Sequence, residues 1–114
     1  MDNKIENIIK LLDKVNAKDV EICDTKDSTP FFEYMIIATA LSSRSLNAFC
    51  GYLKEEEAKG EFTIKGIEGA NSVEWVLADL GDIVVNLFTK EARDKYDLVH
   101  LWKKLPRKRA KENE

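Results

Sequence analysis

Histidine occurs once in this chain, at His100, and cysteine and proline twice each. Each scarcity excludes something. A lone histidine cannot build a zinc site, and Cys23 and Cys50 stand far apart, with no CxxC or other metal-ligand spacing. Two such cysteines read as small buried hydrophobes of a reducing compartment. No apolar run approaches the roughly 18 residues that a membrane-spanning helix needs, so no membrane association is expected. The opening "MDNKIENIIKLLDK" is charged throughout, unlike a secretory signal or an arginine-rich transit peptide, and a cytoplasmic protein is the default expectation. Internal repeats and low-complexity blocks are absent, as are the Walker, GxGxxG, HExxH and GxSxG patterns.

What is present suits one globular domain: 114 residues, 44% of them hydrophobic and 34% charged. The net charge of −3 is unevenly spread. Six basic and two acidic residues fall between Lys103 and Glu114, so the rest of the chain carries about −7. We expect a domain over 1–105 and a flexible basic tail over 106–114. Lys103, Lys104, Arg107, Lys108 and Arg109 either form a solvated end or touch RNA phosphates weakly through charge. The acidic body argues against a protein whose main work is wrapping nucleic acid.

Ile5, Ile8, Ile9, Leu12 and Val15 recur at helical spacing and predict a helix over Asn3 to Asn16. "DVEICDT" reads as a strand and "KDSTP" as a loop. "FFEYMIIATA" is a nearly continuous apolar run, as in a central strand buried on both faces. Ser42 or Ser43 caps a helix with the stripe Leu46, Phe49 and Leu53, which Gly60 closes in a left-handed conformation. "FTIKG" is expected as a short strand and "IEGANS" as a loop. "VEWVLADL" and "DIVVNLF" are strands joined around Gly81. Thr89 caps "KEARDKY", and Asp97 starts a last short helix. Five strands with helices between some of them imply an α/β (α+β) domain, a mixed five-stranded sheet flanked by helices.

Asp79 and Asp82 sit three apart around Gly81, between two apolar runs. A metal-dependent nucleotidyl or phosphoryl transferase needs carboxylates converging on a cation, and commonly a glycine-rich phosphate turn. An Asp-x-Asp pair shares a strand face; this spacing does not. The loop "ALSSRS" carries Ala40 where glycine would let a phosphate approach. The competing reading is a hairpin corner, with Gly81 at positive φ and aspartate accepting from nearby N–H groups. Trp75, Leu77 and Asp79 fall on one strand face, Val76 and Ala78 on the other. Trp75 is then either a core residue or the aromatic centre of a contact surface.

Three blocks in order, "YMIIATALSSRSLNAF", "VEWVLADLGDIVVNLF" and "EARDKYDLVHLW", resemble the ribosomal silencing factor S family, also called Iojap. The leading helix and "DVEICDT" extend the resemblance over nearly the whole domain. It implies a nucleotidyltransferase-like topology without catalytic residues, no enzyme activity and no cofactor. It also implies docking on the large ribosomal subunit through large-subunit protein fourteen, which blocks joining of the small subunit and lowers translation under nutrient limitation. Dimerisation is implied too, and the weak phosphate contact left open for the basic tail would on a ribosome be with ribosomal RNA. The partner-binding residues expected are Trp75, Asp79, Gly81 and Asp82, with Tyr34, Ser42, Ser43 and Arg44 nearby, and Asp79 or Asp82 pairing with a basic group of the partner. A metal-dependent transferase of the same fold and a dimeric module for another partner are the alternatives. The chain departs from the family pattern at Glu33, often Asp, at Ala40, usually Gly, and at Leu80 and Asn86, where Tyr and His are frequent.

Overall fold

The computed structural model describes residues 3–69, 74–96 and, as backbone, 107–109. The apolar periodicity at the start forms helix α1, Asn3–Lys14, which buries Ile5, Ile8, Leu11 and Leu12. It stops two residues short of Asn16, because Asn16 takes φ 56°. Asn16 N–H donates to Asp13 O at 3.0 Å and Ala17 N–H to Leu12 O at 2.9 Å, the paired bonds of a Schellman cap. Helix α2, Ser43–Ala58, ends by the same device at Gly60, φ 82°, with Gly60 N–H on Glu57 O and Glu61 N–H on Glu56 O. Its start is settled by Ser42, whose Oγ accepts from Ser45 N–H at 3.3 Å.

The strands are β1 (Lys18–Asp24), β2 (Tyr34–Ala40), β3 (Gly66–Glu68), β4 (Trp75–Asp79), β5 (Ile83–Thr89) and β6 (Arg107–Arg109), with helix α3 (Lys90–Tyr96) after β5. They form one sheet in the order β3-β4-β5-β2-β1-β6. Only β2 and β5 run parallel; the other neighbours are antiparallel, so the sheet is mixed as expected. The run "MIIA" of β2 lies between β5 and β1 with all four residues buried.

Two expectations need correction. The third strand is Gly66–Glu68, not "FTIKG". Phe62 instead enters the core, and Ile64 N–H bonds the Glu57 carboxylate at 2.7 Å. The ladder with β4 begins where Lys65 N–H reaches Asp79 O, because β4 dictates which residues pair. Secondly, a sixth strand comes from the segment expected as a flexible tail. The backbone of Arg107–Arg109 pairs antiparallel with Glu21–Cys23 of β1, covering an edge that five strands would leave open. The expected helix from Asp97, with Leu98 and Trp102, and the basic residues Lys103 and Lys104 lie outside the described residues.

Alternation divides the sheet into two faces. Val20, Ile22, Ile36, Ala38, Val76, Ala78, Ile83, Val85 and Leu87 meet α1 and α2 in the main core. Cys23, Met35, Ile37, Phe88 and Ala92 form a smaller cluster on the opposite face, with Phe32 and Trp75 packed against it. Both cysteines are buried. On this second face α3 is fastened by Arg93. Its Nη1 donates to Asp19 O at 2.6 Å and to Thr39 Oγ1 at 2.8 Å, and its Nη2 to Glu21 Oε2 at 3.1 Å. Asp19 lies at φ 51°, within an irregularity of β1, so the guanidinium ties a strained stretch of backbone to the neighbouring strand.

Candidate functional site

The turn between β4 and β5 is built by short-range chemistry. Leu80 N–H donates to Ile83 O at 2.9 Å, leaving Gly81 and Asp82 as a two-residue loop. Gly81 takes φ 95° at the first loop position, as a type II′ turn demands. Asp79 Oδ1 accepts from Gly81 N–H at 2.9 Å, so this aspartate braces the turn. Leu80 points into the main core, only 2% exposed, which is why an apolar residue suits the position.

Asp82 has internal partners of its own. Lys4 Nζ, from the first turn of α1, donates to Asp82 Oδ1 and to Leu80 O, each at 2.6 Å. The hydrogen bond from Lys4 holds the Asp82 carboxyl below its usual range, against a smaller opposing effect of burial. Asp82 O also accepts from Glu33 N–H at 2.7 Å and from Tyr34 N–H at 3.1 Å, so the corner anchors the start of β2. The two carboxylates thus have separate partners on separate elements. Among the described residues, no group of three or more His, Cys, Asp or Glu side chains is placed to hold a metal ion.

Trp75 is half-buried at the far end of β4. Its indole stacks on Phe88, the directly paired residue of β5, with centroids 5.0 Å apart and planes 24° from parallel. Its Nε1–H donates to Asn86 Oδ1 at 3.0 Å. Because tryptophan can only donate, that bond orients the Asn86 amide. Asn86 Nδ2, in a side chain 1% exposed, is buried and has no hydrogen-bond partner among the described residues. Trp75 is therefore both anchored to the smaller cluster and presented at its margin.

The residues expected to gather around the two aspartates fall into groups at opposite ends of the sheet. The parallel register aligns Tyr34 with Ile83 and Ala40 with Thr89. Tyr34, Asp79, Gly81 and Asp82 occupy one end, while Ser42, Ser43 and Arg44 follow the other, about 20 Å away along β2. Tyr34 packs toward the helix side, with Lys26 Nζ donating to its hydroxyl at 2.8 Å and lying over its ring. Ser42 is used as the helix cap, and Arg44 is exposed. The adjacency expected from chain order fails because a strand's two ends are as far apart as the strand is long.

What does assemble is a strip on the face away from α1 and α2. Trp75, Leu77 and Asp79, all half-buried, alternate along β4. The register pairs Glu68 with Leu77, placing an exposed acid beside them. A cavity of about 380 Å³ is lined by Glu68, Gly69, Trp75 and Leu77. At the other end an open groove of about 550 Å³ runs past Lys26, Phe31, Lys65 and Asp82, with Phe31 83% exposed. Glu68 escaped sequence reasoning because no local pattern announces a cross-strand partner. Lys4 escaped it too, and Asn86 entered it only as a departure from the family pattern, although an amide two residues before Phe88 on an otherwise apolar strand was a visible signal.

Comparison with known proteins places this geometry in a family. The sequence profile described as "Ribosomal silencing factor during starvation" matches residues 1–114. The chain is 37% identical over 94 residues to a protein of Chromobacterium violaceum named a ribosomal silencing factor, covering 82% of this chain and 77% of that one. It is 33% identical over 98 residues to one of the same name from Haemophilus influenzae, covering 86% and 96%. A crystal structure of a Chromobacterium violaceum protein superposes with a TM-score of 0.82 at 34% identity, covering 90% of this chain and 88% of that one. Matched over its whole length in sequence, this chain belongs to the family of ribosomal silencing factors.

Proposed function

We propose that the chain is a translational repressor that docks on the large ribosomal subunit, through large-subunit protein fourteen, and sterically blocks joining of the small subunit under nutrient limitation. The observation that carries this reading is the family match across all 114 residues. The strip of Trp75, Leu77 and Asp79 supports it as the contact surface, since it combines an aromatic anchor, an aliphatic neighbour and an acid on one half-open face. Occlusion requires no bond-making. A stable dock buries on the order of 1,600 Å² in total, and a few anchors carry most of its energy. Asp79 and Asp82, the pair on which a transferase reading would rest, bond to Gly81 N–H and to Lys4.

Sedimentation of a lysate tests the reading: the chain should travel with free large subunits and not with joined ribosomes. Purified chain added to separated subunits should lower the joined fraction. Trp75→Ala should weaken binding by about 30-fold, the scale of a central anchor, with melting followed alongside because the stack on Phe88 is lost as well. A saturating dose that leaves subunit pairing untouched would end the proposal. The dimer implied by the resemblance is measured by sedimentation equilibrium of the pure chain.

A further inference from the structure

We propose that the cavity lined, among the described residues, by Glu68, Gly69, Trp75 and Leu77 is a slot for one arginine or lysine side chain of the docked partner. The inference deepens the docking reading and rests on it. Glu68 and Leu77 are register partners, so their side chains share a face, and Trp75 lies two residues along the same strand. The three border a space of about 380 Å³. Its lining is mainly apolar, and the one charged group in it among the described residues is the Glu68 carboxylate.

The chemistry selects a cation with a long aliphatic stem. The Trp75 N–H is committed to Asn86 Oδ1, so the indole offers the slot its ring and edge rather than a donor for an anion. Stacking on Phe88 fixes the ring's orientation before any partner arrives, which lowers the entropy cost of ordering it on binding. A methylene stem covers Leu77 and Trp75, as long basic side chains do along apolar surface. The cationic head then meets the aromatic ring and the carboxylate together. Glu68 stands exposed on a three-residue edge strand and has no hydrogen bond or ion pair among the described residues. The lysine nearest to it along the chain, Lys65, lies with its Cε against Gly81 at the opposite corner. Outside its basic end the chain carries a net charge of about −7, which favours a basic partner at longer range.

Glu68→Gln in the full chain keeps the shape and removes the charge. Binding to purified large subunits should weaken about tenfold, as for loss of a charge-assisted hydrogen bond, and its salt dependence should flatten, with melting unchanged. Independently of the ribosome, N-acetyl-arginine amide titrated into the pure chain should shift the Trp75 indole and Glu68 amide resonances, with the indole assigned through Trp75→Phe. The same titration into Glu68→Gln, or N-acetyl-leucine amide into the native chain, should shift neither. Native-like subunit binding by Glu68→Gln overturns the slot, as does an arginine amide response no larger than that of leucine amide. If the native chain fails to bind large subunits, the docking reading falls, while the arginine amide titration still decides whether the slot takes a cation.

Discussion

Asp82→Ala decides whether the acid at the β4–β5 corner serves the fold or the partner. In the native chain Lys4 Nζ sits 2.6 Å from Asp82 Oδ1, the two side chains being 22% and 44% exposed. A pair this open to water contributes about 0.5–1 kcal/mol. Unfolding entropy near 2.1 cal/mol/K per residue over 114 residues turns 1 kcal/mol into about 4 °C of melting temperature. A double-mutant cycle of Lys4→Met and Asp82→Ala, followed by circular dichroism melts, should return that coupling at pH 7. The folded-state pKa of Asp82 lies below its unfolded value of about 3.8, so the stabilisation is present above that pH and is lost as pH falls through the folded value. The gap between native and Asp82→Ala melts should therefore close in strong acid. Large-subunit binding by Asp82→Ala should stay within about twofold of native, because a surface charge already satisfied internally has little to offer a partner. Coupling near zero, or a tenfold binding loss at unchanged melting temperature, would refute the structural role.

Two further perturbations act on the frame that holds the strip. Arg93→Met removes three hydrogen bonds from a pair only 16% and 10% exposed. It should cost about 3 kcal/mol, or about 12 °C of melting temperature, and a shift under about 3 °C would count against the clasp. Gly81→Ala finds room, since the nearest atom to an added Cβ is Lys65 Cε at 3.5 Å, but meets φ 95°. The backbone penalty of about 1–2 kcal/mol should appear as a lower denaturation midpoint at unchanged slope.

Features set by neighbours in sequence were legible and those set by distant ones were not. The stripe of Leu46, Phe49 and Leu53, the left-handed Gly60 and the Asp79–Gly81 turn each depend on residues within one or two turns of chain, and all three are found. The β3 register depends on β4, the β6 strand on β1, and the Asp82 partner on a lysine 78 residues away. Local propensity carries no information about such pairings. The candidate site divides along the same line. Alternation along β4 put Trp75, Leu77 and Asp79 on one face, as observed. Grouping Ser42, Ser43 and Arg44 with Asp79 required knowing which end of β2 meets the corner, and the parallel pairing with β5 answers that only in three dimensions.

That parallel pairing also governs when the protein can exist. The centre of the sheet joins Tyr34–Ala40 to Ile83–Thr89, so no arrangement of the first eighty or so residues completes it. A chain still emerging from its own translation carries the β1–β2 hairpin with one ladder edge bare and the apolar stripe of α2 without one of the two strands it packs on. Long-range closure of this kind sets folding on the slower, millisecond-to-second side of small domains. The synthesising ribosome must therefore release β5 before the sheet can close, and the interval is one in which an unfinished edge is open to mispairing.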